Sequence, residues 1–308
     1  MSTHAVSDSS STKAAEIADS LSANLPVVRG LTLAYASSLI IALLMAITSV
    51  AGLLSGPSLY PTEEMLLFNL PTDLFTLVVG LPILLGSMWL ARRNKLLGLL
   101  CWPGALLYVL YIHIAYAISV PFNVLFLAYV ALVALSAYTT IGLVASIDAE
   151  AVRQRLAGFV PERLAGGILF GLAILFSLMS LAQIITALTS LTPDYLLAYP
   201  VWIADFAVVA PAWLIGGLLL WQRKALGYVA GAGLLLVGSM LFVGIIFVMA
   251  FPAVYTASPV DLTGIIFVLV MGLICFVPFA LFVRGIVKPG RNSHRVTANE
   301  AEKEKERT

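Results

Sequence analysis

The sequence has little charge. Only 11% of its 308 residues are Asp, Glu, Lys or Arg, whereas an ordinary soluble domain is about one quarter charged. Hydrophobic residues make up 61% of the chain, and the mean hydropathy is +1.02. A soluble chain of this length would need a large charged surface. The composition therefore argues against a soluble enzyme, a disordered protein and a nucleic-acid-binding protein.

The residues that usually bind metals or cofactors are also scarce. Cys101 and Cys275 are the two cysteines, and both lie in apolar runs without a CxxC motif, which is typical of small core residues. His113 is the one histidine inside an apolar run, so a pair of imidazoles cannot hold a haem there. The sequence contains no HExxH, no P-loop and no GxSxG with a partner histidine. We therefore expect no metal site and no cofactor.

What the chain does have is long apolar runs. A helix that crosses a bilayer needs about 20 apolar residues, and runs of this length are too long for the strands of a membrane barrel. The pattern predicts an all-α polytopic membrane protein with eight spans: Leu31–Leu54, Thr72–Leu90, Leu96–Val120, Val124–Ile147, Leu164–Leu188, Val201–Trp221, Ala225–Ala250 and Leu262–Val283.

The charges predict how the spans are oriented. All 17 Lys and Arg residues fall before the first span, after the even-numbered spans or in the terminal tails. Because cytoplasmic loops are enriched in Lys and Arg, both termini are predicted to be cytoplasmic, in a multi-pass protein of the plasma membrane. Six acidic residues fall on the opposite side or in the outer half of a span: Glu63, Glu64, Asp73, Asp194, Asp205 and Asp261.

A pattern of five residues recurs along the chain. Pro71, Pro82, Lys95, Leu97 and Gly98 reappear 129 residues later as Pro200, Pro211, Lys224, Leu226 and Gly227. We interpret this as a duplication of four spans. Because four is an even number, the two halves would share one orientation and form a parallel repeat.

The repeat divides the chain into five parts. Residues 1–29 and 288–308 are expected to be polar cytoplasmic tails without a secretory signal peptide, mostly disordered. Residues 30–147 and 164–287 would be the two four-helix repeats. Residues 148–163 would be the cytoplasmic linker, in which AEAVRQRL predicts a short amphipathic helix.

Two prolines lie in the middle of spans. Pro82 and Pro211 occupy matching places in the second helix of each half, where proline frees a carbonyl and kinks a helix. They are candidate hinges, or else tolerated packing kinks. The segments Glu63–Asn69 and Asp194–Tyr199, which precede these helices, are expected to be short helices lying across the outer face.

The polar groups at membrane depth are the candidate site, because such groups are costly there and usually functional. They are Asp73, Asp205, His113, Gln183 and Asn123, with Tyr116 beside the histidine. The two aspartates could face each other across the repeat axis. A Tyr–His–Asp network would suit proton handling. The alternatives are that Asp73 caps a helix start and that His113 bonds a backbone carbonyl or a tyrosine hydroxyl.

The stretch LLYVLYIHIAYAISVPFNVLFLAYVAL at 106–132 and the two K-x-L-G segments carry a resemblance. They are similar to parts of uncharacterised prokaryotic polytopic membrane proteins of about eight spans. The resemblance extends over most of the spans. It implies an inner-membrane protein and carries no activity and no site residue with it.

Three functions fit these features. The first is a small cation- or proton-coupled transporter, because an outer face with unbalanced acids favours a cation or a proton-coupled solute over an anion. The second is a membrane sensor or assembly protein without chemistry, in which the polar groups are packed and satisfied. The third is a lipid-processing enzyme in the membrane, with Asp205 or His113 as general acid and base. Expected partners are the lipid bilayer and a small solute, cation or proton, with no nucleic acid.

Overall fold

The computed structural model describes residues 25–190, 195–256, 259 and 261–287. Within these ranges the chain is helical apart from short turns and one isolated antiparallel bridge between Val27 and Ile147. The elements are α1 (Thr32–Leu59), α2 (Glu63–Phe75), the π-helical segment π1 (Thr76–Gly80), α3 (Leu81–Arg92), α4 (Leu96–Ser119), α5 (Phe126–Ala145), α6 (Ala149–Leu156), α7 (Glu162–Ser190), α8 (Tyr195–Ala204), the π-helical segment π2 (Asp205–Val209), α9 (Ala210–Trp221), α10 (Ala225–Tyr255) and α11 (Leu262–Val287).

Eight helical stretches are long and apolar enough to cross a membrane, which confirms the eight predicted spans. The first, third, fourth, seventh and eighth spans are α1, α4, α5, α10 and α11. The fifth lies within α7, at Glu162–Thr189. The second joins α2, π1 and α3, and the sixth joins α8, π2 and α9. Many large apolar side chains on these helices are exposed, as is required of a surface in contact with lipid.

The structure extends several spans beyond their predicted ends. The first span continues through Pro57 to Leu59, with a break in the helical backbone at Ser55. The expected separate interfacial helix at Glu63–Asn69 is instead the start of the second span, which runs without interruption from Glu63 to Arg92. Proline did not end these helices because a missing N–H is tolerated where neighbouring helices support the backbone.

Successive spans place their connections at alternate ends of the bundle. We call one end the basic end, because every described Lys and Arg lies there: Arg29, Arg92, Arg93, Lys95, Arg153, Arg155, Arg163, Arg223, Lys224 and Arg284. Segments at the basic end contact one another. For example, Val28 N–H donates a hydrogen bond to the Ser146 carbonyl. The opposite end, called the acidic end, holds the connections at 60–62 and 120–125, together with residues 256, 259 and 261. The two ends thus differ in charge within the described chain.

The helix α4 lies at the centre of the bundle. Two thirds of its most apolar window is buried, a larger share than in any other span. It crosses α10 at two glycines: a Cβ atom added to Gly104 would lie 2.5 Å from Gly233 Cα, and one added to Gly233 would lie 2.9 Å from Gly104 N. Small residues allow helix backbones to approach this closely. Around the crossing, α2 packs on α10 and α8 packs on α4.

Helix boundaries recur at the 129-residue spacing of the sequence pattern. The segments π1 and π2, the helices α3 and α9, and the first residues of α4 and α10 are all separated by 129. So are Asn94 and Arg223, the two described non-glycine residues with positive φ (57° and 59°), which end α3 and α9 in the left-handed conformation. The glycines that cross at the centre, Gly104 and Gly233, have the same spacing.

The predicted linker helix is present as α6. Asp148 caps its start by accepting a hydrogen bond from Ala151 N–H at 3.0 Å, and its apolar face buries Val152 and Leu156. Arg153 bonds Glu150 on its exposed face, with Nε to Oε2 at 2.9 Å. This ion pair lowers the pKa of the Glu150 carboxyl. The helix therefore lies on the basic end with its polar face to solvent.

Candidate functional site

Two carboxylates of the candidate site lie in the bundle toward the acidic end, one on each side of α4. Asp73 is in the last turn of α2, and Asp205 is the first residue of π2. Asp73 is buried and Asp205 is half-buried. Both bond tyrosines of α4, the helix that carries Tyr108, Tyr111 and Tyr116. Asp194, which was also predicted for this end, lies outside the described residues.

The carboxylate of Asp73 is held by two tyrosine hydroxyls. Tyr60 OH, just beyond the end of α1, donates to Oδ2 at 2.6 Å. Tyr116 OH lies 3.1 Å from Oδ1 and 3.1 Å from the Asn69 carbonyl. Burial and the nearby carboxylate raise the pKa of the Tyr60 hydroxyl, which keeps it protonated and able to donate. No Lys, Arg or His ion pair to Asp73 occurs in the described chain.

Two further polar atoms beside Asp73 are buried without a hydrogen bond in the described structure: Asn69 Oδ1 and Tyr129 OH. Asn69 lies one helical turn before Asp73, on the same face of α2. The Tyr129 ring meets the Tyr116 ring edge-on, with 5.5 Å between centroids. We call Tyr60, Asn69, Asp73, Tyr116 and Tyr129 the Asp73 cluster. It combines a carboxylate with several oxygen atoms that can pass or accept a proton.

His113 is close to the Asp73 cluster but not hydrogen-bonded to its carboxylate. Its ring lies 6.0 Å from the Tyr116 ring and 6.4 Å from the Tyr129 ring, centroid to centroid. Its Nδ1 lies 2.8 Å from the Val109 carbonyl, one turn back in α4. The structure therefore has the tyrosine–aspartate part of the expected Tyr–His–Asp network, while the histidine takes the alternative of a backbone partner.

Asp205 lies at the break between α8 and α9. Tyr111 OH of α4 donates to its Oδ1 at 3.0 Å, and Ser180 Oγ of α7 lies 3.4 Å from its Oδ2. A π-helical turn often marks a functional position, because it offsets the side chains and leaves backbone groups without their usual partners. The carboxylate thus extends from the sixth span toward α4 and α7, which each provide one hydroxyl to it.

Asp205 lines a cavity of about 380 Å³, which we call the Asp205 cavity. Its polar lining groups include Asp205, Tyr111, Ser180 and Gln183. Apart from Ser177, the rest of the lining is apolar and rich in aromatic rings: Phe68, Phe176, Trp202, Phe206, Trp213 and Phe242. None of its lining residues is Lys or Arg, so the charge of Asp205 is not balanced inside it.

A second cavity of about 270 Å³ adjoins the first. The two share five lining residues: Phe68, Tyr111, Val201, Leu241 and Ile245. The second cavity reaches Tyr116, the tyrosine that bonds Asp73. Asp73 itself lines neither of these two cavities. The two cavities therefore lie side by side with Tyr111 in the wall of both, and the second one extends to the side of α4 that holds the Asp73 cluster.

The remaining predicted site residues have different surroundings. Gln183 lines the Asp205 cavity, where its Oε1 accepts a hydrogen bond from Trp202 Nε1 at 3.0 Å. Asn123 instead shapes the turn before α5: its Nδ2 donates to the Pro121 carbonyl at 2.8 Å, and its Oδ1 accepts from Leu125 N–H at 2.7 Å. Asn123 thus has the contacts of a turn residue.

Pro82 and Pro211 each lie two residues beyond a π-helical segment. A proline has no N–H and cannot donate to the carbonyl four residues earlier. In both spans the proline follows the wider π-helical turn, where this bond is not made. Sequence reasoning identified the prolines as candidate hinges but missed π1 and π2. The matched spacing of the prolines was the one available signal for these segments.

Sequence reasoning also missed Tyr60, Ser180 and the aromatic lining of the Asp205 cavity, since these groups come from separate helices.

Within the described chain, no group of three His, Cys, Asp or Glu side chains is placed to hold a metal ion. The chain matches no protein-family model, no curated protein and no solved structure.

Proposed function

We propose that this protein is a transporter for a cationic solute, which binds at Asp205 from the outer face of the plasma membrane. The observation that carries the proposal is the Asp205 cavity, because it combines a carboxylate with a space large enough for a small solute and contains no Lys or Arg. An unpaired carboxylate in the membrane must hold a proton, bind a cation or contact water.

The orientation in this proposal rests on the charges. All described Lys and Arg residues are at the basic end, and such residues are enriched on the cytoplasmic side of membrane proteins. The basic end would then be cytoplasmic, together with both chain termini. The acidic end, toward which the Asp205 cavity lies, would face outward, where its carboxylates attract cations.

The proposal includes the parallel repeat of two four-helix halves, 30–147 and 164–287. Its support is the 129-residue spacing that relates π1 to π2 and α3 to α9. Contact between the equivalent glycines Gly104 and Gly233 gives further support, because a residue meets its own equivalent only next to a two-fold axis. The axis would run between α4 and α10, along the membrane normal. Movement of one half against the other would alter the walls of the Asp205 cavity, with π1 and π2 at the hinges.

Asp73 has the second role in this proposal: it holds the coupling proton. It is buried, its two hydrogen-bond partners are hydroxyls, and no described cation is paired with it. Tyr116 connects it to the wall of the second cavity. A proton held at Asp73 and a cation held at Asp205 would lie on opposite sides of α4, so a shift of this one helix would affect both.

Proton-driven flux in proteoliposomes tests the proposal. Purified full-length protein is reconstituted with a pH-sensitive dye inside, and proton movement is recorded after adding K⁺, Mg²⁺ or benzyltrimethylammonium to separate samples. We expect at least one of them to drive proton movement in the wild type and not in Asp205→Asn. Asp261→Asn is the matched control, since Asp261 is at the same end and caps α11 through Gly264 N–H. Equal flux in wild type and Asp205→Asn for every cation would refute the proposal.

Asp73→Asn tests the coupling role separately. We expect this variant to exchange labelled cation across the membrane while it loses the ability to accumulate the cation against a pH gradient. Accumulation at the wild-type level would refute the role of Asp73 and leave the role of Asp205 in place.

A further inference from the structure

We infer that the substrate of the Asp205 cavity is an organic ammonium ion with an apolar or aromatic body, not a metal ion. This inference rests on the proposed function, because it assigns a chemical class to the cation bound at Asp205. It is carried by three separate features of the cavity: the nature of its walls, the oxygen atoms it offers and its position in the bundle.

The walls of the cavity suit a cation with an apolar surface. The rings of Phe176 and Trp213 meet edge to face with 6.0 Å between centroids, and those of Phe176 and Phe242 with 5.6 Å. Trp202 and Phe206 belong to the sixth span, as Asp205 does, and both line the cavity. Aromatic faces attract cations, and this attraction is greatest for weakly hydrated organic ammonium groups in sites from which water is excluded.

Most side-chain oxygen atoms of the cavity are already hydrogen-bonded to one another or to the Trp202 indole, which disfavours a bare metal ion. Ca²⁺ and Mg²⁺ require about six or more oxygen ligands. Asp205 is the one carboxylate in the lining, and the hydroxyls of Tyr111 and Ser180 are turned to it. The Gln183 carbonyl oxygen is engaged by the Trp202 indole, which leaves the Ser177 hydroxyl as the one further side-chain oxygen in the lining. An organic ammonium group needs fewer oxygen ligands than a metal ion, because the single carboxylate can balance its charge while the rings cover its carbon atoms.

The volume and position of the cavity agree with an organic solute. About 380 Å³ is more than ten times the volume that a water molecule occupies in the liquid, about 30 Å³. The cavity also reaches the surface of the bundle, since both Phe206 and Gln183 are exposed and line it. Phe206 lies within the sixth span next to Asp205, so a solute with an apolar body can enter from the membrane as well as from water.

Binding of benzyltrimethylammonium to the purified full-length chain tests this inference. This ion has a fixed charge, so it cannot carry protons itself. By isothermal titration calorimetry we expect the wild type to bind it and Asp205→Asn to bind it at least about tenfold more weakly. Phe206→Ala should weaken binding by a factor of about 2–30, the range expected for one cation–π contact. Phe267→Ala is the control, because Phe267 is an exposed ring of α11 that does not line the cavity.

Two competitors sharpen the test. Neopentylbenzene, the neutral molecule of the same shape, should bind at least tenfold more weakly than benzyltrimethylammonium. K⁺ and Mg²⁺ at the same concentration should not displace the organic cation. Equal affinity for the neutral molecule would overturn the inference, and so would displacement by either metal ion. Asp205→Glu, which keeps the charge, should retain binding and so separates loss of charge from poor folding.

The outcomes distinguish the inference from the proposed function. If K⁺ or Mg²⁺ drives flux that depends on Asp205 and benzyltrimethylammonium does not bind, the inference fails and the transporter proposal stands. If no cation of the three gives flux that depends on Asp205, the transporter proposal itself fails. Binding of benzyltrimethylammonium that is identical in wild type and Asp205→Asn also overturns the inference.

Discussion

Adding one methyl group where α4 crosses α10 should destabilise the whole bundle. In Gly104→Ala the new Cβ atom would lie 2.5 Å from Gly233 Cα and even closer to the Gly233 carbonyl oxygen. Non-bonded carbon atoms prefer about 3.5–4.0 Å, so the two helices must separate by roughly 1 Å. Both atoms belong to the backbone of α10 and cannot turn aside as a side chain would.

The magnitude follows from two opposing effects. Overpacking in a tight core costs about 1–3 kcal/mol, and here the separation also loosens the contacts on either side of the crossing. Replacing glycine by alanine within a helix gains about 1 kcal/mol. We therefore expect Gly104→Ala to lower the free energy of unfolding by up to about 2 kcal/mol relative to the wild type, and by about 1–3 kcal/mol relative to a glycine-to-alanine change without the clash. Gly233→Ala should cost less, because its closest approach is 2.9 Å, to Gly104 N.

Gly86→Ala is the matched control, since a Cβ atom at Gly86 in α3 would meet nothing within 4 Å. It receives the helix-propensity gain without the clash. The assay is thermal unfolding of the purified protein in detergent, followed by tryptophan fluorescence. We expect Gly104→Ala to melt several degrees below Gly86→Ala. Equal melting temperatures would refute the close approach of α4 and α10 on which the position of Tyr111 and Tyr116 depends.

Two further predictions concern single polar contacts. Tyr60→Phe should lower the free energy of unfolding by about 1–3 kcal/mol in the same melting assay, because it leaves Asp73 Oδ2 without its 2.6 Å donor. The equally buried Tyr129→Phe should cost less, because the Tyr129 hydroxyl makes no hydrogen bond to the Asp73 carboxylate. Equal losses would contradict this assignment. The Glu150–Arg153 pair lowers the Glu150 pKa, so any stability it adds is present near neutral pH and is lost as the pH falls through that pKa. Because both side chains of the pair are about half exposed to solvent, at 43% and 51%, Arg153→Gln should leave melting at pH 7 unchanged within error. A clear loss of stability would contradict the expectation that a surface ion pair contributes little.

Part of the site could be predicted from residue type alone. Asp73 and Asp205 were found because a carboxylate in an apolar run is costly wherever it points. Their equivalence was only approximate, however. The residue 129 positions before Asp205 is Thr76, whose hydroxyl lies 3.0 Å from Tyr108 OH. The two halves thus share a backbone pattern, while the acids occupy neighbouring turns and contact different tyrosines of α4.

The sequence by itself determined the number of spans, because apolar length is a local property and the bilayer sets its threshold. It also determined that the cations cluster at one end, and it contained the 129-residue spacing later seen in π1 and π2. Only the tertiary structure decided which polar groups meet. These helices are apolar on nearly every face, so their pattern cannot indicate which side contacts lipid and which contacts another helix.

His113 and Asp205 show this division most clearly. Both are isolated polar residues in apolar runs, and their sequences alone would allow either to be buried and satisfied or open to a ligand. The fold turned His113 to a carbonyl of its own helix and placed Asp205 at the wall of a cavity lined by aromatic rings. The deciding factor was the packing of four separate spans around Asp205, which is a long-range arrangement that no local pattern encodes.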